Sequence, residues 1–276
     1  MTSALPLKPR RRLAAVDLLG HYWVLRARLV SATVHEFRQR YRGSLLGLTW
    51  VALLPLLFVG VYAFVYLAVF RVTLPDGGPP DYALYVLTGL APYFATMEVV
   101  GQSAGALRSN LAMVRNGMLP LEAIPARIAL VALTGELAAM ALLLVLSAWT
   151  GRLSVNMLLL PVVLGVHLVL NLGLALIMVA VGALVRDVTY VANLLLMLLL
   201  FVSPIAFTET MLPRGLRFLA DLNPVYYMAR SFREAVFRVG TPDWAALAIF
   251  ALIAAATFVF GAAVLRRYRT HVMDNA

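Results

Sequence analysis

The chain contains no cysteine, and lysine occurs once, at Lys8. The first absence excludes disulfides, thiolate catalysis and cysteine-based metal sites. The second excludes a P-loop, which needs a lysine behind a glycine-rich turn to hold nucleotide phosphates, and the residues around Lys8 are not glycine-rich. Any ATP-driven work therefore has to come from another polypeptide. Charge is scarce as well: 13% of the 276 residues are charged, against about 25% in a soluble domain. Hydrophobic residues make up 62% and the mean hydropathy is +0.88, a membrane composition.

The net charge is +10. Its basic residues sit at the ends of apolar segments, which points to membrane orientation and contact with anionic lipid rather than to nucleic acid. No secretory leader pattern is expected at the start, because Asp17 and His21 interrupt the first apolar stretch.

Residues 1–20 read as a basic cytoplasmic tail. Over residues 21–43, Tyr22, Leu25, Leu29, Thr33, Phe37 and Tyr41 recur at helical spacing. Arg26, Arg28, Glu36, Arg38, Arg40 and Arg42 populate other faces, so an amphipathic helix in the membrane interface is predicted. Arg40 to Phe70 then runs from an arginine-rich helix end, through Gly43 and Gly47, into an apolar segment of spanning length.

Six such segments are predicted: 48–70, 83–104, 123–148, 156–185, 189–208 and 243–265. The length of the fourth predicts a tilt or a break near Gly173, and the fifth is predicted to stop at Ser203-Pro204. Residues 209–242 are too polar for a span yet carry Phe218, Tyr226, Tyr227, Phe232 and Phe237. They read as short helices dipping back into the membrane against protein. The fold class is thus an all-α integral membrane protein: six transmembrane helices in residues 48–265, an N-terminal amphipathic interfacial helix, and an external re-entrant helical hairpin before the last span. Nine basic residues precede the first span. The positive-inside rule therefore predicts both termini, including the tail 266–276, in the cytoplasm.

Polar groups within spans are costly and each is a functional candidate. Glu98, Arg127, Glu136, His167 and Asn171 are the main ones. The simplest expectation is pairing between helices, with Glu98 and Glu136 meeting Arg127, an asparagine or a bound water. His167 and Asn171, four apart, share a helix face. One histidine and one amide make neither a metal site nor an acid–base pair. The stretch Leu107–Pro120, LRSNLAMVRNGMLP, carries more apolar residues than a solvated turn needs and reads as a docking element for a cytoplasmic partner. Tyr62, Phe64, Tyr66, Phe70, Tyr82, Tyr85, Phe201 and Phe207 gather at one end of the spans. Such rings form an interfacial belt or stack on sugar faces.

These pieces resemble a family. YRGSLLGLTWVALLPLLFVGVYAFVY, Tyr41 to Tyr66, looks like the opening of ABC-2 type permeases that export polysaccharides, the O-antigen (Wzm-like) and teichoic acid (TagG-like) transporters. NLAMVRNGMLPLEAIP, Asn110 to Pro125, resembles the family's coupling stretch. Ser203 to Trp244, with SPIAF, MLP, LNP and FREAVFRVGTPDW, resembles its external hairpin.

The resemblance implies a homodimer, a channel at its interface, and two copies of a cytoplasmic ABC ATPase. That partner would bind the ATP and Mg²⁺, so no cofactor or metal is expected on this chain. The substrate implied is a polysaccharide on a polyprenyl pyrophosphate, moved across the bacterial inner membrane. Coupling would fall to the segment 106–119, with Arg108, Asn110, Leu111, Val114 and Arg115, and to Pro120 just after it. Arg38, Arg40 and Arg42 would meet the lipid pyrophosphate or other headgroups. Tyr62, Tyr66, Tyr85, Phe201 and Phe207 would serve as channel aromatics, and Pro204, just before the hairpin 209–242, with Pro213, Asn223, Pro224 and Tyr226 inside it, as the external gate. The alternative within transport is an ABC-2 permease for a drug or a small lipid. A membrane enzyme would need a His, Asp or Ser constellation that His21, His35, His167 and His271 do not form.

Overall fold

The computed structural model describes residues 15–40, 42–69, 71, 78–207, 211, 215, 217–237 and 240–269. Tyr41, Phe70, Pro213, His271 and the outer parts of both tails, 1–14 and 270–276, lie outside them, while 15–20 of the predicted N-terminal tail belong to the first helix. The described residues are helical, with no strand among them. The order is α1 (Ala15–Arg40), α2 (Thr49–Ala63), α3 (Pro79–Arg115), α4 (Ala123–Trp149), α5 (Leu160–Leu184), α6 (Val188–Val202), α7 (Arg217–Leu222), α8 (Pro224–Phe237) and α9 (Trp244–Arg267). Helix α2 continues as a π-helical stretch over Phe64–Val69, and a 3₁₀ turn, Val155–Leu159, leads into α5.

Five of these segments are long and apolar enough to cross a membrane: Thr49–Val69, Pro80–Arg115, Ala123–Trp149, Val155–Leu184 and Trp244–Arg267. Helix α6, predicted as a span over 189–208, has 15 residues. It extends about 22 Å, short of a hydrocarbon core of about 30 Å. It stops at Ser203-Pro204, as the sequence predicts, because Pro204 has no N–H to continue the ladder.

Two expectations are corrected. The stretch Leu107–Pro120, predicted to follow the second span as an element of its own, is for the most part the C-terminal end of α3, which runs on for 37 residues, about 55 Å. The reversal comes only at Asn116–Leu119. There Gly117 takes φ 71° and the Met118 N–H reaches back 2.9 Å to the Met113 carbonyl, a C-cap that glycine makes cheap. Of the tilt or break predicted near Gly173, the break is absent, since α5 continues through it. That glycine serves close approach instead. A Cβ built there would lie 2.6 Å from the Phe258 nitrogen, so the α5 and α9 backbones pack almost in contact.

The core divides along the bundle. Leu29, Leu107, Ile124, Ala175, Leu176 and Leu265 form one cluster. Tyr82, Leu84, Leu87, Tyr93, Leu143, Phe232 and Phe250 form another at the opposite end of α3. Helix α1 lays Leu18, Leu25, Leu29 and Thr33 onto the first. Leu19, Trp23, Val30 and Val34 form a second, exposed apolar stripe on α1. Arg28 and Arg38 are exposed as well. A helix with two apolar faces and a basic one suits the membrane interface. Helices α2 and α6 expose whole apolar faces, including Leu54, Leu57, Val61, Phe64, Leu194, Leu198 and Phe201.

Candidate functional site

Helix α3 threads three polar stations, and each lies where its turns meet other helices. The first joins it to α1. Glu36 and Arg40 continue, at helical spacing, the stripe that carries Leu29 and Thr33 onto the bundle. Arg40 Nη1 lies 2.5 Å from Glu98 Oε1 on α3, and Gln102 donates to the same oxygen from 3.2 Å. Glu36 lies 3.0 Å from Arg127 Nε on α4, whose Nη2 also donates to Asn110 Oδ1 at 3.3 Å. The expected pairing of Glu98 or Glu136 with Arg127 is therefore corrected: Glu36, outside the spans, takes Arg127 because α1 lies against α4. Nearby, burial and then the Glu122 carboxylate push the Tyr22 phenol above its ordinary range.

The second station is buried at mid-helix. His167 Nδ1 sits 2.8 and 2.9 Å from the two Glu136 oxygens. Its Nε2 is 2.9 Å from Thr96 Oγ1, which also donates to Asn171 Oδ1 at 3.0 Å. His167 is fully buried, and Glu136 and Asn171 nearly so. The four groups satisfy one another across α3, α4 and α5, which is the condition for polar groups to survive in a bundle core. Phe232 of α8 stands edge-on to the imidazole at 5.8 Å. No group of three or more metal-ligating side chains occurs among the described residues.

Beside these stations lies a cavity of about 190 Å³ between α2, α3 and α4. Trp50, Pro55, Phe58 and Phe94 line it, and Glu98 and Glu136 reach its wall.

The third station clamps the turn after α6. Tyr82 and Tyr85 hydroxyls donate to the Ala206 and Phe207 carbonyls, each at 3.0 Å. Arg233 of α8 donates to the Pro204 and Ile205 carbonyls at 2.7 and 2.6 Å, and its guanidinium covers the Tyr85 ring at 3.7 Å. Asn223 donates to Ser203 Oγ at 2.8 Å and caps α8 by accepting from the Val225 N–H at 2.9 Å. From the middle of α8, Arg230 holds Asp243 at 2.7 Å. The Ala246 N–H first, with Arg230 and the Ala245 N–H adding to it, pulls the Asp243 carboxyl below its usual range.

The predicted residues distribute over this frame as follows. Arg108 donates to the Gly182 carbonyl near the end of α5. Leu111 and Val114 are half-buried, Arg115 is exposed on the last turn of α3, and Pro120 is half-buried after the reversal. Arg38 and Arg42 are exposed beside Arg40. Tyr62 and Tyr66 stack in parallel at 6.0 Å, and Tyr66 lies 6.3 Å from Tyr82. Tyr85 and Phe207 belong to the third station, whereas Phe201 stands on the exposed face of α6. Pro204, Asn223 and Tyr226 are buried there and Pro224 is exposed. Sequence reasoning missed Glu36, Thr96 and Arg233. The first was legible as the continuation of the Leu29–Thr33 stripe. The other two carry no local signal.

Five helices long and apolar enough to cross a membrane, tied to one another by polar contacts, define a multi-pass membrane protein. Residues 28–237 match the ABC-2 type transporter family, and the chain belongs to it. It resembles the O-antigen export system permease protein RfbA of Myxococcus xanthus, with 27% identity over 231 residues, 83% of this chain and 87% of the relative. A Klebsiella pneumoniae protein of the same name is 24% identical over 243 residues, 87% and 92% of the two chains. The polysialic acid transport protein KpsM of Escherichia coli is 27% identical over 241 residues, 84% and 90%.

Proposed function

We propose that this chain is the permease subunit of an ABC exporter that carries a polysaccharide, linked to a polyprenyl pyrophosphate, out of the cytoplasm across the bacterial inner membrane. The observation that carries the reading is the likeness to permeases named for O-antigen export and polysialic acid transport over more than four-fifths of each chain.

In this reading α6, extended by its clamped turn, completes a six-span topology, and α7 and α8 form the re-entrant external hairpin. Both termini are cytoplasmic, which the basic N-terminal segment supports. A separate ABC ATPase binds the ATP and Mg²⁺, and two copies of it dock under a permease homodimer. The exposed apolar faces of α2 and α6 support that dimer, with Tyr62, Tyr66 and Phe201 toward the glycan path. The exposed tip of α3, with Met113, Arg115 and Met118, meets the ATPase. Arg38, Arg40 and Arg42 face the headgroups of the inner leaflet and receive the lipid pyrophosphate.

The test is deletion of the gene followed by fractionation of lipid-linked glycan in spheroplasts. Polymer accumulating inside while vanishing from the surface is expected. Unchanged surface glycan with no internal precursor overturns the reading in favour of a drug or small-lipid exporter.

A further inference from the structure

The three arginines at the end of α1 are not equivalent. Arg38, Arg40 and Arg42 are all exposed, but Arg40 also reaches the bundle and grips Glu98 at 2.5 Å. Both partners of this pair have a second tie. Glu98 keeps a donor on its own helix, Gln102 at 3.2 Å. Helix α1 keeps a hold on the bundle one turn earlier, through Glu36 and Arg127 at 3.0 Å. Loss of the Arg40–Glu98 contact therefore strands neither the carboxylate nor the helix.

The pair is also accessible. Its side chains are 31% and 26% exposed, and an ion pair so placed contributes little net stability because water screens it. Glu98 lines the cavity between α2, α3 and α4, whose walls, apart from Glu136, are apolar and aromatic, Trp50, Phe58 and Phe94 among them. A guanidinium held by a carboxylate that lines a mostly apolar cavity matches an amphiphile with an anionic head and a hydrocarbon tail. A phosphate offers the guanidinium the same planar two-oxygen face as a carboxylate, with greater charge.

Resting on the reading given under Proposed function, we propose that Glu98 is the resting-state occupant of a lipid-diphosphate site on Arg40. The incoming diphosphate of a polyisoprenoid lipid displaces Glu98 from Arg40, with Arg38 and Arg42 adding charge from the exposed side. Glu98 falls back on Gln102. The exchange unties α3 from the end of α1 while Glu36–Arg127 holds α1 to α4, so headgroup occupancy is written into the relative freedom of α1 and α3.

Competition has a signature that a structural ion pair lacks: removing its two partners moves binding in opposite directions. The test measures binding of radiolabelled farnesyl diphosphate to the full-length permease in phosphatidylethanolamine vesicles, with farnesol as the tail-only probe. Glu98→Gln removes the competitor and tightens farnesyl diphosphate binding about tenfold, while Arg40→Gln weakens it about tenfold, and farnesol binding moves in neither. Arg40→Lys keeps the charge without the fork and falls between wild type and Arg40→Gln, which guards against a misfolded glutamine variant.

If both variants weaken binding, or Glu98→Gln leaves it unchanged, the exchange is overturned. If adding phosphatidylglycerol to the vesicles abolishes farnesyl diphosphate binding, the site takes ordinary anionic lipid and the proposal falls. Either failure leaves the export reading standing, because that reading falls only if deletion of the gene leaves surface glycan unchanged.

Discussion

Gly173 offers the sharpest test of how the bundle is packed. A Cβ at this position would lie 2.6 Å from the Phe258 nitrogen and 2.7 Å from both the Phe258 Cα and the Thr257 carbonyl carbon. Carbon contacts are optimal at about 3.5–4.0 Å, so Gly173→Ala forces α5 and α9 apart by about 1 Å. The obstacle is backbone on both sides, so no side-chain rotation relieves it. Overpacking of this kind costs about 1–3 kcal/mol, which for a chain of this size is a fall of about 2–10 °C in melting temperature.

Gly165, on the same helix, is exposed with nothing within 4 Å of the equivalent Cβ. Gly165→Ala therefore shares the gain in helix propensity and none of the clash. Gly261 meets the Gly173 carbonyl from the other side, its Cβ 2.5 Å from that oxygen. The two glycines guard one gap, so Gly173→Ala with Gly261→Ala costs less than the sum of the single changes. The assay is size-exclusion chromatography of the detergent-solubilised permease after stepwise heating. A Gly173→Ala protein that melts with Gly165→Ala refutes the backbone-contact argument.

Three further outcomes follow from named contacts. Thr96→Val leaves His167 and Asn171 short of a partner in the core and lowers stability by about 1–3 kcal/mol in the same melting assay, whereas Thr96→Ser stays near wild type. Gly117→Ala places a side chain at φ 71° and costs about 1–2 kcal/mol, with Gly117→Asn milder, since asparagine tolerates that region. Asp243 has a depressed carboxyl pKa, so the stability it adds is present above the unfolded value, near pH 4, and is lost as pH falls through the folded one. Melting temperature followed from pH 7 to pH 3 therefore drops less at the acid end in Asp243→Asn than in wild type.

Much of the fold is written in hydrophobic run length. The spans at 123–148 and 156–185, and the last one, are legible because an apolar stretch in a bilayer has little option but to form a helix. The α3 extension was misjudged because Arg108 and Asn110 look like the end of a span. In the structure Arg108 reaches a carbonyl of α5 and Asn110 reaches Arg127, so polar residues continue the helix rather than ending it. Gly173 shows the same ambiguity, since one residue type serves both a break and a close approach and only the partner helix decides. The polar groups were individually visible and their partners were not. Glu36 and Arg127 are 91 positions apart in sequence, and no local pattern specifies which carboxylate crosses to which arginine.

The placement of the three stations on one helix has a mechanical consequence. Tyr82 and Tyr85 hold the Ala206 and Phe207 carbonyls near the start of α3, Thr96 and Glu98 engage α5 and α1 at its middle, and Arg108 ties its lower part to Gly182. One helix therefore connects the Asn116–Leu119 reversal with the turn at Ser203–Phe207. The one interruption is Pro92, which leaves the Thr88 carbonyl without its helical donor and lowers the resistance to bending there. Pro92 lies between the tyrosine clamp and the Thr96–Glu98 pair. Bending at that point lets the lower contacts rearrange, the Arg40–Glu98 exchange among them, while the tyrosines keep their carbonyls. A helix straight throughout would have to break both sets together.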